Sequence, residues 1–158
     1  MHTYKMSVLL VTYNSEWKDI KKTLKSIINQ NFDDFELVIS DDGSKDNKFT
    51  QIEEYMEENN FSAYKLVGHD KNQGTVKNLI SGLENCSGKY VRDFGPGDMF
   101  YTRNALKDIY EFMEIKQCDS CFCRVQGYVE KKGVLIKRDY VHPFNINVYK
   151  NKNKDLIL

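Results

Sequence analysis

Net charge, long apolar runs and an abundance of cysteine are all missing from this 158-residue chain. Lys plus Arg and Asp plus Glu number 23 each. No overall basic field therefore draws the chain to nucleic acid, and no acidic excess suggests a disordered tail; a charged ligand has to be held locally. The longest apolar stretch near the start, Met6 to Val11, is too short for a signal-peptide core and far short of a membrane span. The four cysteines, Cys86, Cys118, Cys121 and Cys123, sit in a Lys- and Asp-rich chain. That favours reduced thiols in a cytoplasmic setting over a disulfide framework. No internal repeat or low-complexity tract is visible.

The hydrophobic content is 41% and the aromatic content 13%, enough for one domain with a substantial core. Ser7 to Thr12 is a continuous β-branched and aliphatic run that ends in the polar turn Tyr13-Asn14-Ser15, the pattern of a buried parallel strand. Trp17, Ile20, Leu24, Ile27 and Ile28 then recur at helical spacing, with Asn14 or Ser15 available as the cap. The unit repeats: Phe35 to Ser40 predicts a strand, Asp41-Asp42-Gly43-Ser44 its exit turn, and Phe49, Ile52, Tyr55 and Met56 a helix. A third strand is predicted over Ala63 to Val67, a helix over Thr75 to Glu84, and a fourth strand over Gly88 to Phe94. Beyond Gly95-Pro96-Gly97-Asp98 come a helix carrying Leu106, Ile109, Tyr110 and Met113 and a hairpin of Ser120 to Glu130 with Val134 to Val141. The alternation predicts an α/β fold: a Rossmann-like, mostly parallel sheet flanked by helices, with a C-terminal β-hairpin. Residues 1–144 would form this domain, and the Asn- and Lys-rich residues 145–158 a loosely held tail or the point where a longer protein was cut.

In an open α/β sheet, ligands bind outside the carboxyl ends of the strands, where loops diverge and helix amino-termini point at the opening. Three such exits carry unusual polar groups: Thr12-Tyr13-Asn14, Asp41-Asp42-Gly43-Ser44 and Gly95-Pro96-Gly97-Asp98. Two adjacent carboxylates can accept hydrogen bonds from a base or ribose or bind a hard cation, and the glycine after them lets the backbone turn beside a ligand. The less favoured alternative is that Asp41 and Asp42 merely cap the following helix.

The order Ser7 to Asn14, then Ser26-Ile27-Ile28-Asn29-Gln30-Asn31-Phe32 ahead of Phe35 to Ser44, then Asn72-Gln73-Gly74-Thr75-Val76-Lys77-Asn78 running to Gly88-Lys89-Tyr90-Val91, resembles family-two glycosyltransferases of the GT-A fold. The likeness is to their nucleotide-binding half and covers roughly the first hundred residues. It implies inverting transfer of a sugar from a nucleoside diphosphate-sugar, most often a UDP-sugar, to a saccharide or lipid-linked acceptor, at the cytoplasmic face of a membrane. It further implies that Thr12, Tyr13 and Asn14 line the nucleotide pocket, with Asp41, Asp42 and Gly43 beside them and Asp42 reading the uracil or other base. Asn72, Gly74 and Lys77 complete the donor site. Lys77 falls near the diphosphate, where a lysine acts as a point charge, although a solvated helix lysine is an equal reading.

The resembled family places an acidic triplet, Asp-any-Asp followed by Asp, where this chain has Gly95, Pro96, Gly97 and Asp98. Only the last carboxylate is present, as in a subgroup with a Pro-Gly-Asp loop. Asp98 would then hold Mg²⁺ or Mn²⁺ together with substrate oxygens and water. Asp93 shares a strand face with Val91 and is expected to be structural or exposed. The family's general base lies beyond the matched region, so no catalytic residue is assigned.

Other readings are weaker. A phosphoacceptor signalling domain needs its acidic pair after the first strand and an aspartate after the third, whereas here the pair follows the second and strand three runs into Gly68-His69. A non-catalytic nucleotide-binding or partner module with the same fold is the main alternative. Cys118, Cys121 and Cys123 could hold zinc with His142, but small hydrophobes in a buried strand are the commoner case. His69-Asp70 could touch the nucleotide, or be an ordinary hydrogen-bonded loop pair. The aromatics are spread along the chain and read as core and surface.

Overall fold

The computed structural model describes residues 3–142. They fall into two compact units divided between Gln117 and Cys118. The first is an α/β layer structure with strands β1 (Tyr4–Thr12), β2 (Phe35–Asp41), β3 (Tyr64–Gly68) and β4 (Gly88–Phe94) and helices α1 (Trp17–Ile28), α2 (Phe49–Glu58), α3 (Thr75–Glu84) and α4 (Ala105–Lys116). All strand pairs in its sheet are parallel, in the order β3-β2-β1-β4. The second unit contains an antiparallel hairpin of β5 (Val125–Lys131) and β6 (Val134–His142). The expected tail, residues 145–158, lies outside the described residues.

The two central strands carry the most apolar sequence because both their faces are covered: every residue of β2 is buried, as are Met6 to Leu10 of β1. On one face Val8, Leu10, Leu37 and Ile39 meet Ile20, Leu24 and Ile27 of α1, Ile52 and Met56 of α2, and Leu106 of α4. Each such side chain removed from water contributes about 1.5–3 kcal/mol before entropy is set against it. Helix α3 lies against β1 and β2 and ties to the other face, where the Ser40 hydroxyl donates to Asn78 Oδ1 at 2.6 Å. Helices on both faces of a parallel sheet send every strand exit to one edge, and that edge positions the site.

Several local expectations need correction. Strand β1 starts at Tyr4, earlier than its apolar run, because Tyr4 pairs with Gly88 of β4 despite the polar Lys5. Neither Asn14 nor Ser15 caps α1; the capping position is Glu16, which makes no side-chain cap bond. Asp41 and Asp42 do not cap α2 either, since that helix begins after Lys48. Strand β5 begins at Val125, where pairing with His142 starts. Cys121 and Cys123 therefore precede it and are exposed, while Cys118 is half-buried; none of the four cysteines is in a disulfide. Among the described residues no group of three or more His, Cys, Asp or Glu side chains could hold a metal ion. Nor, among them, is any helix long and apolar enough to cross a membrane.

Towards the amino ends of the strands a buried carboxylate fastens three of them. Glu36 Oε1 accepts from the Ser7 hydroxyl (2.7 Å), the Ser87 N–H (2.5 Å) and the Ser87 hydroxyl (2.8 Å). Its Oε2 pairs with Lys65 at 3.0 Å. Burial alone would raise the Glu36 pKa, but these donors together hold it below the usual carboxylate value.

Candidate functional site at the strand exits

Each exit loop has a specific tether. At the end of β1, Thr12 is buried and its hydroxyl donates to Asp41 Oδ2 at 2.9 Å, while the Thr12 carbonyl accepts the Asp42 N–H at 3.0 Å. Asn14 takes a left-handed conformation, φ +47°. Its N–H donates to the Ser44 hydroxyl at 2.6 Å and its side-chain oxygen accepts the Lys45 N–H at 3.2 Å. Asn14, one of the two residues expected to cap α1, thus stitches the β1 exit to the β2 exit. Ser15 bonds locally to Tyr13, and the Tyr13 ring stands 48% exposed at this edge.

The two adjacent carboxylates have different surroundings. Asp41 is buried and takes three donors: the Thr12 hydroxyl, the Ser44 N–H (2.8 Å) and the Ser44 hydroxyl (2.7 Å). It is a lock between two loops. Asp42, equally buried, reaches the other way and accepts the Gln73 N–H at 2.8 Å and the Gly74 N–H at 2.9 Å. Gly74 is the capping residue of α3, so Asp42 holds the start of α3, not of α2. Between these loops Gly43 sits at φ +72°, and a Cβ there would lie 2.5 Å from the Lys71 carbonyl carbon. Only glycine allows the crossing.

Asn72 joins this group through its side-chain oxygen, which accepts the Gly74 N–H at 3.1 Å. Lys77 stands exposed on the first turn of α3. Asn78, to which the sequence pattern assigns no role, is buried and central: its amide donates to the carbonyls of Thr12 (3.2 Å) and Ser40 (3.1 Å). Its signal was a polar residue on the helix face that meets the sheet. Thr23, overlooked in the apolar stripe of α1, has a similar part. Its hydroxyl accepts the Gly97 N–H at 2.9 Å and donates to the Asp98 carbonyl at 2.8 Å.

That contact docks the β4 exit onto α1. Because Leu10 pairs with Phe94, the loop of residues 95–98 leaves the sheet beside Thr12. Gly97 adopts φ +94°, which a side chain at this position would strain. Asp98 is exposed; its Oδ2 accepts the Gly95 N–H at 3.2 Å, and Oδ1 takes no bond from the described residues. Asp98 thus leaves one carboxylate oxygen open at this edge of the sheet. Asp93 is exposed beside Arg92, which pairs with it at 3.2 Å.

Residues 7–157 match the family model described as Glycosyl transferase family 2. A GalNAc(5)-diNAcBac-PP-undecaprenol β-1,3-glucosyltransferase of Campylobacter jejuni is 33% identical over 84% of this chain and 41% of its own length. The poly(ribitol-phosphate) β-N-acetylglucosaminyltransferase TarS of Staphylococcus aureus is 31% identical over 82% of this chain and 22% of its length. A crystal structure of TarS residues 1–349 with UDP superposes with a TM-score of 0.63 at 32% identity, covering 72% of this chain and 33% of that one. The mannosyltransferase PcManGT of Pyrobaculum calidifontis, solved with GDP-Man and Mn²⁺, shares the fold at a TM-score of 0.64 and 22% identity, over 71% of this chain and 33% of that one. The chain spans well under half the length of these relatives.

Proposed function

The chain belongs to glycosyl transferase family 2, and from that premise we propose that it is the donor-binding part of an inverting glycosyltransferase that takes a UDP-sugar. The observation that carries this reading is the joining of three exit loops at one sheet edge through Thr12, Asp41, Asp42 and Asn78, beside the loop that bears Asp98. Diphosphate recognition needs such a place: backbone and helix amino-termini that can approach closely, and a cation nearby.

In this proposal Tyr13 offers its exposed ring to the base, and Asp42 accepts the ring N–H of uracil with the lone pairs left free by Gln73 and Gly74. Asn14, Gly43, Asn72 and Gly74 shape the wall, Asp41 keeps the loops in register, and Lys77 places its charge near the diphosphate. The chain belongs to the variant with a Pro-Gly-Asp loop, and Asp98 would hold Mg²⁺ or Mn²⁺ against diphosphate oxygens; when bound, the ion supplies Lewis-acid stabilisation of the departing diphosphate. The acceptor is a saccharide or lipid-linked sugar at the cytoplasmic face of a membrane, and the base that deprotonates its hydroxyl belongs to chain outside the residues assigned here.

Calorimetric titration with UDP and with GDP, in EDTA and then in Mg²⁺ or Mn²⁺, tests this. UDP binding that tightens with metal in the wild type but not in Asp98→Ala supports the proposal. Absence of binding by either nucleotide under all conditions would reject it.

A further inference from the structure

Between β4 and α4 the chain runs through residues 95–104 without helix or strand, and its main-chain groups find partners along one flank of α1. Thr23, Ser26 and Gln30 recur at steps of three and four, so they share a flank beside the apolar stripe of Ile20, Leu24 and Ile27. The Thr23 hydroxyl meets the Gly97 N–H at 2.9 Å and the Asp98 carbonyl at 2.8 Å. The Ser26 hydroxyl accepts the Phe100 N–H at 3.2 Å. Gln30, just past the end of the helix, donates to the Thr102 carbonyl at 2.9 Å and accepts the Leu106 N–H, at the start of α4, at 2.9 Å. An irregular connection ordinarily draws such bonds from water and moves. This one is pinned at intervals by a helix that is itself held in the core.

The tethers differ in what they hold. Thr23 is fully buried, and its two bonds fix the main chain at Asp98 and the residue before it. The Asp98 side chain meanwhile stays exposed, with one carboxylate oxygen open. A valine would fill the place of Thr23 without the cost of burying a hydroxyl, so packing alone does not call for a polar residue there. Gln30 is buried too, but it holds the far end of the connection. We propose that Thr23 is the positioning residue for Asp98: it fixes the main chain beneath the open carboxylate, so that a divalent cation meets that group without first having to order the loop. This rests on the reading given above in which Asp98 holds the cation against diphosphate oxygens. Gln30 supplies the comparison, a tether of the same kind on the same connection that only stabilises.

UDP affinities in EDTA and in Mn²⁺ for wild type, Thr23→Val, Thr23→Ser, Gln30→Met and Asp98→Ala test this. Thermal melting is the folding control, and deuterium exchange at Gly97 and Leu106 is a readout that needs no metal. Thr23→Val should cut the tightening of UDP binding by Mn²⁺ about five- to tenfold, the loss of one neutral hydrogen bond, and quicken exchange at Gly97. Thr23→Ser keeps the hydroxyl and should retain the tightening within about twofold of wild type. Gln30→Met should quicken exchange at Leu106 and leave the tightening within about twofold. Thr23→Ala, which leaves space in place of a methyl group, repeats the test should valine disturb the fold. Full tightening in a folded Thr23→Val, or an equal loss in Gln30→Met, would overturn the positioning role and leave the Asp98 reading standing. A wild type whose UDP affinity ignores Mn²⁺, or an Asp98→Ala that responds as wild type does, would overturn both.

Discussion

Replacing Asp41 by alanine strikes the point where the exit loops are locked together. The carboxylate is 2% exposed and accepts three bonds, from the Thr12 hydroxyl and from the N–H and hydroxyl of Ser44. Bonds to a charged group are each worth about 1.5–3 kcal/mol, and Thr12 is itself buried, so its hydroxyl is left unpaired. The Ser44 groups are nearer to solvent and recover part of their loss from water. The expected cost of Asp41→Ala is therefore about 3–5 kcal/mol, against about 1.5–3 kcal/mol for Thr12→Val or Ser44→Ala, each of which removes one of the three bonds. Urea denaturation followed by far-UV circular dichroism measures all three, and an unchanged slope shows that the comparison concerns stability alone. A loss below about 1 kcal/mol for Asp41→Ala would mean that the carboxylate is not the lock, and the reasoning from buried donors would fail.

Asp42→Ala should weaken UDP binding by about 1–3 kcal/mol and also speed deuterium exchange at Gln73 and Gly74, whose N–H groups it holds; slow exchange in the mutant would show the loop fastened by something else. Glu36 governs an acid transition. Its folded pKa is lowered, so its stabilisation is fully present above the unfolded value of 4.5 and is lost as pH falls through the folded value. The stability gap between wild type and Glu36→Gln, read from denaturation curves, should narrow below pH 4.5, and a gap that widens there would contradict the sign. Gly43→Ala should destabilise by about 2 kcal/mol or more by melting, because the strained φ and the approach of Lys71 act together; a neutral result would deny the crossing of the two loops.

The sequence showed the architecture wherever one signal dominated. Strand β4 and helix α3 begin and end where the pattern of Gly88 to Phe94 and Thr75 to Glu84 places them, because a glycine opens each and helical or β-branched spacing runs unbroken between. The failures occur where a polar side chain had a choice of partners. Asn14 and Ser15 have the chemistry of caps, yet the return of Ser44 beside β1 offers Asn14 a tertiary bond no local pattern contains. The same holds for the aspartate pair: adjacency in sequence suggested a shared task, whereas strand alternation turns Asp41 to Ser44 and Asp42 to the loop ahead of α3. The three clustered cysteines looked like strand interior, but the pairing register begins after them. Asn78 and Thr23 were hidden for the opposite reason, each a lone polar residue on a helix face that the apolar spacing explained without it.

Amide resonances followed during titration with UDP and Mg²⁺ put the account's main idea to its most direct test. The residues that shift should be Thr12 to Asn14, Asp42 and Gly43, Gln73 to Lys77, and Gly95 to Asp98, all at one edge of the parallel sheet. Shifts concentrated instead around Glu36 and Ser87 at the far edge, or along β5 and β6, would contradict it.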